Sequence, residues 1–544
     1  MPMLQEKSDE QIAAARSEVE RKLDGGVPAA EAAPEPALYT KTLFEALLDA
    51  RAKRGGSFAF CEDAERQPMT LNRLVIGALL LSKHIEALTT PGERVGLLLP
   101  NVNGLAAMFM ACQAGGRVPA MLNYSTGVRN MIACCRTAQI KTVFTSRRFV
   151  ALGKLDDMVE ALGREVDIVW LEDVRKQVTS WDKARAFAAS FAARRIHARH
   201  RVRPGDPAVI LFTSGTEGVP KGVVLTHRNL LANCAQLCAI VDLFPTDRMF
   251  NALPMFHSLG LTGGFILPLF GGFPTFFYPS PLHYRQIPPL IRDTKATIVL
   301  ATDTFANGWA KVAEKDDFAS LRFFVLGAER VKPNTRELFR EKFGLELFEG
   351  YGATEGAPVL ALNVPGRARE NTVGKLLPGI SYRFETVEGL NEGRKLWVRG
   401  PNIMDGYMML DAPGVLRPPV DGWHDTGDIV TMDDDGYVTI AGRAKRFAKI
   451  GGEMVSLAAV EGYAATVWPD NLHAAVVVDD ARKGEQIVLV TDRANADRDD
   501  LLAWAKEHGV PELQIPKRFV FVPEMPVMGS GKLDYVTATT LAKG

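Results

Sequence analysis

Short apolar runs alternate with longer amphipathic stretches over most of this chain, from about Leu38 to Gly442. RVGLLLP, KTVFTS, DIVWLE, AVILFT, TIVLAT and RFFVLGA are runs of this kind. Buried parallel strands form continuous apolar runs because helices cover both faces of their sheet. The pattern therefore predicts an α/β fold, with parallel-rich sheets flanked by helices in a large N-terminal domain over residues 38–442.

The character of the sequence changes after GYVTIAGRAKR. From there to the C terminus, the apolar runs AAVVVDD, EQIVLVTD and RFVFVP predict a small α+β domain over residues 443–544, with the boundary at Gly442–Arg446. At the other end, residues 1–37 are predicted to form an appendage. Ser8–Asp24 has the pattern of a short helix capped by Ser8, and Gly25–Ala37 is a Gly/Pro/Ala-rich linker.

Composition excludes several functional classes. The 64 basic residues balance the 64 acidic ones, which argues against a general nucleic-acid binder. The six cysteines form no C-x-x-C pair, so a reducing cytosol fits better than a disulfide framework or a zinc ribbon. No signal peptide opens the chain, and the most apolar region, Met249–Pro279, is interrupted by Pro, Gly and His. We expect a cytoplasmic protein without a transmembrane segment, for which peripheral contact with the inner face of the membrane stays open.

The segment LFTSGTEGVPKGVVLTH, residues 211–227, concentrates hydroxyls, glycines and one lysine in a loop. Glycines let backbone N–H groups approach an anion, while hydroxyls add donors and the lysine adds charge, so the loop suits phosphate. It is not a Walker A loop, because Pro220 stands where the second glycine belongs. A flexible surface hairpin is the alternative. The candidate phosphate-binding residues are Thr213, Ser214, Gly215, Thr216, Gly218 and Lys221.

TSGTEGVPKG in this loop resembles the phosphate-binding signature of the adenylate-forming superfamily, which includes acyl-CoA synthetases, luciferases and peptide-synthetase adenylation domains. Six further segments are similar to motifs of that superfamily and follow in its order: PMFHSLG (254–260), GAERV (327–331), GYGATE (350–355), DTGD (425–428), GRAKRFAKIGGE (442–453) and GSGKLDY (529–535). The resemblance covers Leu38 to Lys543. It implies that the large domain includes a β-barrel-like subdomain and that the small C-terminal domain is mobile.

In that superfamily, a carboxylate attacks the α-phosphorus of ATP and pyrophosphate leaves. A carboxylate is already ionised near neutral pH, so the reaction needs positioning and charge neutralisation rather than a general base. The resemblance implies ATP and Mg²⁺, with Thr354 and Glu355 contacting the α-phosphate and Glu355 holding the metal ion. It also implies an adenine slot formed by Gly327, Ala328, Glu329, Gly350, Tyr351 and Gly352.

Two charged positions complete the implied adenylation site. Asp428 would accept hydrogen bonds from both ribose hydroxyls, with Arg443 beside it. Lys532 would bridge the acyl carboxylate and the phosphate, and the glycines around it would let its loop leave afterwards. On their residue types alone, Asp428 could equally be a turn acid and Lys532 a solvated lysine near the end of the chain.

The second reaction of the superfamily is attack by a phosphopantetheine thiol on the acyl adenylate, and it involves rotation of the small domain. Lys445 occupies the implied hinge position, where some relatives have Asp. Gly451 and Gly452 would line the pantetheine tunnel. His257 would stand near the carboxylate end of the acyl pocket as a gate, although a buried structural histidine explains the same pattern.

The acyl substrate is expected to be a fatty acid. Met249–Phe277 is rich in Phe, Leu and Gly and contains no Asp, Glu, Lys or Arg, so it suits an alkyl chain better than an amino acid. YPSPLHYRQIPPLI, EGYGATEGAPVLALNVP and GPNIMDGY are similar to the synthetase half of the bacterial bifunctional acyl-acyl-carrier-protein synthetase/acylglycerophosphoethanolamine acyltransferase. No H-x-x-x-x-D motif occurs, so we expect no acyltransferase activity.

This narrower resemblance predicts holo-acyl carrier protein as the thiol acceptor, with a fatty acyl-CoA ligase as the alternative. Arg443, Lys445, Arg446 and Lys449 could form a basic rim that attracts an acidic carrier protein. A solvated hinge region explains these cations equally well. Two other interpretations are a non-catalytic acyl or nucleotide binder and an enzyme that stops at acyl-AMP.

Overall fold

The computed structural model describes residues 23–24, 33–214, 219–388, 390, 392–450, 453–480, 484–527 and 533–543. The strands of these described residues form four sheets. Two large sheets with parallel cores and one antiparallel sheet belong to the predicted large domain. The fourth sheet contains the predicted strands of the small domain. The predicted α/β fold class, with a large sheet-rich region and a small α+β region, is confirmed.

The first large sheet has eight strands within the described residues, and the five strands from Pro207–Ser214 to the edge strand Asp167–Trp170 are parallel. Its strands are, in spatial order, Ala412–Arg417, Gly406–Met409, Pro220–Thr226, Pro207–Ser214, Val118–Met121, Arg94–Leu97, Thr142–Thr145 and Asp167–Trp170. Pro207–Ser214 and Pro220–Thr226 pair as an antiparallel hairpin, with Thr213 opposite Lys221. The predicted phosphate loop therefore connects two adjacent strands of this sheet.

The second large sheet has nine strands within the described residues. They are, in spatial order, Lys375–Leu376, Val359–Leu362, Leu347–Gly352, Phe323–Leu326, Ile298–Ala301, Met249–Asn251, Thr275–Phe277, Ala59–Asp63 and Met69–Thr70. The six strands from Leu347–Gly352 to Ala59–Asp63 are parallel. Their carboxyl ends consequently meet at one edge of the sheet, where ligands bind in many α/β proteins.

The subdomain that was expected to be β-barrel-like is built on a five-stranded antiparallel sheet. Its strands are, in order, Leu23–Asp24, Ser381–Glu385, Arg394–Arg399, His424–Met432 and Val438–Arg443. The small-domain sheet follows after the turn Ala444–Arg446 and contains Glu453–Ser456, Phe447–Ile450, Gly484–Thr491, His473–Asp480 and Arg518–Phe521. Lys445, the predicted hinge residue, lies at the centre of the turn that connects the two sheets.

The prediction of a helix over Ser8–Asp24 is wrong at its C-terminal end. Leu23–Asp24 is a short strand that pairs with Glu385 and Phe384 in antiparallel orientation. The edge of the sheet offers unpaired backbone donors and acceptors, and pairing with them replaces helical hydrogen bonds. Residues 1–22 and 25–32, which include Ser8 and most of the predicted linker, lie outside the described residues.

Helices cover the large sheets and fill the space between them. Asn103–Ala114 contacts strands of both sheets, and all of its residues except Gly104 are buried, as expected of a helix that is apolar on every side. The α-helices are Leu43–Arg54, Leu71–Leu88, Asn103–Ala114, Gly127–Thr137, Arg147–Gly153, Asp156–Leu162, Leu171–Gln177, Ser180–Ser190, Ala193–Ala198, His227–Ile240, Leu267–Gly271, Ile287–Thr294, Asp303–Val312, Pro333–Phe343, Leu457–Val467, Arg498–Glu507 and Tyr535–Lys543. Leu259–Ile266 is a π-helix. Across the described residues, none of the helices has both the length and the apolar composition of a membrane span.

Candidate functional site

A cavity of ≈ 190 Å³ lies at the carboxyl ends of the parallel strands Ile298–Ala301, Phe323–Leu326 and Leu347–Gly352. Seven residues predicted for the site line it together: His257, Gly327, Ala328, Gly350, Tyr351, Gly352 and Thr354. They come from three sequence segments up to about a hundred residues apart, and the parallel sheet brings these segments to one edge. The cavity thus joins the predicted acyl gate to the predicted adenine slot.

From this edge, the cavity extends inward along the second large sheet. Strand residues at alternate positions, Ile298 with Leu300 and Phe323 with Val325, face it, because successive side chains of a strand point to opposite faces. Leu237 of the helix His227–Ile240 forms part of the opposite wall. The inner part of the cavity is therefore an apolar channel between a sheet and a helix.

Gly352 allows the chain to turn sharply at the mouth of this channel. A Cβ atom at this position would stand 2.2 Å from the carbonyl oxygen of Pro358, a separation that no side chain tolerates. The chain then forms the 3₁₀ turn Thr354–Gly356. Glycine is thus required here so that Thr354 and Glu355 can follow directly after the buried strand.

Tyr351, Asp428 and Arg443 form a cluster that we call the large-domain triad. The Tyr351 hydroxyl donates to Asp428 Oδ2 at 2.6 Å, and Arg443 Nε lies 3.1 Å from Asp428 Oδ1. Asp428 and Arg443 are direct partners on neighbouring antiparallel strands. Burial raises the pKa of Asp428, whereas Arg443 and Tyr351 act to lower it. The triad thus holds a carboxylate, a strong hydrogen-bond acceptor when ionised, beside the lining residue Tyr351.

Glu355 and Lys221 are connected through Tyr407, a residue that the sequence did not single out. The Tyr407 hydroxyl donates to Glu355 Oε1 at 2.7 Å, and Lys221 Nζ lies 5.2 Å from the centre of the Tyr407 ring. Desolvation and the charge of Glu355 both raise the pKa of Tyr407, so its hydroxyl stays a donor. The predicted metal ligand and the predicted phosphate lysine are therefore held by one aromatic side chain.

Residues 48–408 match the model of the family described as AMP-binding enzyme. This match covers about two thirds of the chain. The chain belongs to the AMP-binding enzyme family. The superfamily that was inferred from the TSGTEGVPKG loop and the six further segments is thereby confirmed.

Several characterised proteins resemble this AMP-binding enzyme over most of their length. The medium-chain fatty-acid–CoA ligase of Escherichia coli is 28% identical over 480 residues, covering 84% of this chain and 81% of that protein. The long-chain-fatty-acid–CoA ligase of Yersinia pestis is also 28% identical over 480 residues, covering 81% of this chain and 84% of that protein. These names do not include an acyl-carrier-protein synthetase, so the narrower resemblance is not supported specifically.

Solved structures share the fold of more than nine tenths of the chain. ATP-bound MatB from Rhodopseudomonas palustris superposes with a TM-score of 0.77 at 24% identity, covering 93% of this chain and 99% of that one. The o-succinylbenzoate CoA synthetase of Bacillus subtilis, in complex with its acyl-adenylate intermediate, gives a TM-score of 0.76 at 20% identity, covering 91% of this chain and 97% of that one. These superpositions extend the shared fold beyond the family match into the small C-terminal region.

The remaining predicted site residues of this AMP-binding enzyme fall into two groups. Glu329 does not line the cavity, and its Oε2 accepts hydrogen bonds from the backbone and hydroxyl of Thr304 at 3.0 and 2.9 Å. Ser214 ends a strand, and nothing is described of its side chain. The other predicted residues lie outside the described residues: Gly215, Thr216, Gly218, Gly451, Gly452 and Lys532.

The proposed basic rim is partly occupied by internal contacts. Arg446 pairs with Glu461 at 2.7 Å and keeps only 22% of its side chain exposed. Arg443 is engaged with Asp428. Two of the four cations that the sequence places in this rim therefore already pair with carboxylates, Arg446 in a mostly buried position and Arg443 in an exposed one, which weakens the case for an acidic docking partner there.

The residues around Glu355 fit a magnesium ion. Among the described residues, no group of three or more His, Cys, Asp or Glu could form a metal cage. Magnesium usually binds through one or two carboxylates together with water and substrate phosphates. Glu355, with one oxygen held by Tyr407 and a predicted phosphate loop nearby in the fold, provides a ligand of the expected kind.

Proposed function

We propose that this AMP-binding enzyme activates a fatty acid with ATP and transfers the acyl group to the thiol of CoA. The observation that carries the proposal is the apolar channel that opens into the predicted adenylate site. A carboxylate held near His257 and Thr354 would leave its alkyl chain among Leu237, Leu300 and Val325. Burying each methylene group there contributes about 0.8 kcal/mol to binding.

The length of the channel suggests a chain of medium length. Phe323, which begins the strand Phe323–Leu326, and Gly327, which follows its end, both line it. They lie four positions apart, which corresponds to about 13 Å at ~3.3 Å per residue. An extended alkyl chain advances about 1.3 Å per carbon, given C–C bonds of ~1.5 Å. We therefore expect room for about ten carbons between the levels of Gly327 and Phe323.

CoA is favoured over acyl carrier protein for two reasons. Three relatives match over more than four fifths of their own length, and all three are named as CoA ligases: two of fatty acids and one of anthranilate. The basic rim, which was the sequence argument for a carrier protein, has two of its arginines committed to Asp428 and Glu461. We therefore propose the CoA reaction, and the carrier protein becomes an outcome of the test.

In the proposed reaction, the described side chains bind and orient rather than exchange protons. Asp428 would accept from the ribose hydroxyls of ATP, and Lys221 with the loop between Ser214 and Pro220 would hold its outer phosphates. Glu355 would hold Mg²⁺, which neutralises phosphate charge when bound. Lys532 would stabilise the charge that develops between the carboxylate and the α-phosphate. Gly451 and Gly452 would leave room for pantetheine.

The proposal is tested by measuring AMP release and thioester formation with ATP, Mg²⁺ and saturated fatty acids of six to eighteen carbons. CoA and holo-acyl carrier protein are compared as acceptors at low and moderate salt. We expect turnover with CoA, with the highest kcat/KM near ten carbons. Turnover with the carrier protein alone would overturn the choice of acceptor, and no AMP release with any fatty acid would overturn the substrate class.

Two adjacent phenylalanines provide a matched test of the channel. Phe323 faces the channel. Phe324 faces the other side of the sheet and packs against Phe339, with ring centres 5.0 Å apart. Phe323→Ala should shift the preferred fatty acid toward longer chains. Phe324→Ala should lower stability by about 3–5 kcal/mol without changing chain-length preference. An unchanged preference in Phe323→Ala would show that the channel does not hold the alkyl chain.

A further inference from the structure

The helix Ser180–Ser190, with the residue Phe191 that follows it, has aromatic residues on the outside and small residues on the inside. Trp181, Phe187 and Phe191 are 70%, 56% and 79% exposed. Ala186 and Ser190 are buried instead. Large aromatic side chains normally lie inside a protein, so three on the outside of one short segment need an explanation.

The aromatic residues share one face of the helix. Positions 181, 184, 188 and 191 recur every three or four residues and form a single stripe, and Phe187 lies beside it. Phe187 and Phe191 are in edge contact, with ring centres 5.3 Å apart. The intervening Ala184 and Ala188 are exposed and offer no side-chain hydrogen bonds. The stripe is thus an apolar surface exposed to solvent.

Internal anchors fix which face points outward. Arg51 donates to the carbonyl oxygen of Ser190 at 3.0 Å. The buried His197 has Nε2 at 2.9 Å from the Thr42 hydroxyl and Nδ1 at 3.0 Å from the carbonyl oxygen of Ala114. These contacts hold this helix and the one that follows it against the large domain, so the aromatic stripe cannot turn inward without breaking them.

The same segment has a strong positive charge although the whole chain is neutral. Residues 180–203, SWDKARAFAASFAARRIHARHRVR, contain seven Lys or Arg and a single acidic residue, Asp182. All seven cations are exposed. Within the described part of the chain, Arg194 is the one among them with a salt bridge, to Asp49 at 2.6 Å. The other six have no carboxylate partner there.

We propose that this surface, which we call the basic aromatic face, docks the protein on a bilayer that contains anionic lipids. It comprises Trp181, Lys183, Arg185, Phe187, Phe191 and Arg195. Trp and Phe partition into the boundary between headgroups and acyl chains, and flanking Lys and Arg are attracted to negative headgroups. The proposed contact is peripheral, at the boundary between headgroups and acyl chains. The inference does not depend on the proposed function.

The test is co-sedimentation of the full-length protein with vesicles of three parts phosphatidylcholine to one part phosphatidylglycerol, and with vesicles of phosphatidylcholine alone. We expect binding to the anionic vesicles that weakens as salt is raised. The triple variant W181S/F187S/F191S and the triple variant K183E/R185E/R195E should each reduce the partition coefficient at least about tenfold. Both should keep the melting temperature, because these side chains are exposed.

A matched control replaces exposed apolar residues elsewhere. Leu152 and Val536 are 76% and 67% exposed, and L152S/V536S should bind vesicles like the parent. Equal partitioning of the parent protein and both triple variants would overturn the proposal, as would equal binding to neutral and anionic vesicles. A third outcome would also overturn the proposal: the protein fails to bind vesicles but binds holo-acyl carrier protein, and K183E/R185E/R195E abolishes that binding. The basic aromatic face would then be a docking site for an acidic protein.

Discussion

The chain contains two similar clusters of an arginine, a carboxylate and a tyrosine, whose arginines lie on either side of Lys445 in the sequence. The large-domain triad consists of Arg443, Asp428 and Tyr351, and a small-domain triad consists of Arg446, Glu461 and Tyr535. In each, an arginine pairs with a largely buried carboxylate that also accepts a hydrogen bond from a tyrosine hydroxyl. Only two residues, Ala444 and Lys445, separate the two arginines.

The two triads differ in how open they are. Arg443 keeps 65% of its side chain exposed while Asp428 keeps 5%, so water or a ligand can replace the arginine at the carboxylate. Arg446 and Glu461 are both mostly buried, at 22% and 16%, and Arg446 stacks on Tyr535 at 3.7 Å. The large-domain triad has its carboxylate next to the cavity, whereas the small-domain triad is mostly buried. We expect the exposure of the arginine, rather than the residue types, to decide whether such a carboxylate can bind a ligand or only stabilises the fold.

Removal of the small-domain carboxylate should have the largest effect. Glu461 accepts from Arg446, from the backbone N–H of Ala475 at 2.8 Å and from Tyr535. Glu461→Ala leaves a mostly buried arginine without its partner, which costs about 3–5 kcal/mol. Hydrogen exchange in the strands His473–Asp480 and Gly484–Thr491 should accelerate by at least about 10² as a result.

The matched control for this variant is Glu512→Ala. Glu512 also pairs with an arginine, Arg498 at 2.8 Å, but 71% of its side chain is exposed. The control should change stability by less than about 1 kcal/mol. Similar exchange rates in the two variants would mean that the buried triad is no more important for the small domain than a surface ion pair.

Lys532→Ala should affect the rate of adenylation and not that of thioester formation, although the residue belongs to the small domain. The substitution should slow adenylation by roughly 10²–10³, the scale of losing one preorganised charge donor. It should largely spare thioester formation from supplied acyl-AMP. The measurement is the rate of each half-reaction, with Lys543→Ala on the exposed end of the last helix as the control. Equal losses in both half-reactions would contradict a role confined to adenylation.

Asp428→Asn should lower activity and leave stability nearly unchanged, whereas Glu461→Ala should mainly lower stability. Loss of the charged acceptor should lower kcat/KM for ATP by about 10², given ~1.5–3 kcal/mol for each hydrogen bond to a charged group. Stability should change by less than about 1 kcal/mol, because the exposed Arg443 is solvated without its partner. Asp435→Asn, an exposed partner of Arg369 at 2.8 Å, is the control. A large loss of stability with unchanged kcat/KM would make the large-domain triad an anchor as well.

The sequence predicts the strands of this fold well because their signal is local. RVGLLLP, KTVFTS and RFFVLGA each contain a parallel strand of the structure. The helix prediction over Ser8–Asp24 is wrong for Leu23–Asp24, because the sheet edge that captures these residues is more than 350 residues away in sequence. A local pattern does not encode a distant pairing partner.

Candidate site residues can be predicted from the sequence only where they belong to a recognisable motif. The motifs single out Asp428 and Glu355 as candidates, but nothing in the sequence singles out Tyr407, since a tyrosine in a strand usually indicates sheet packing. Its position beside both Glu355 and Lys221 arises because Gly406–Met409 pairs with Pro220–Thr226. The small-domain triad was missed for the same reason: whether Arg446 is solvated or buried depends on the placement of Glu461 and Tyr535.

The two tyrosines offer the smallest and sharpest comparison. Tyr351 donates to Asp428 at 2.6 Å, and Tyr535 donates to Glu461 at 3.3 Å, so the second hydrogen bond is the weaker. Tyr351→Phe should lower kcat/KM for ATP by about tenfold, equivalent to ~1.4 kcal/mol. Tyr535→Phe keeps the ring that stacks on Arg446 and should cost no more than about 1 kcal/mol of small-domain stability. The measurements are ATP kinetics and hydrogen exchange on both variants. If Tyr351→Phe instead lowered stability and left kcat/KM for ATP unchanged, the greater exposure of the large-domain triad would be unrelated to ATP binding.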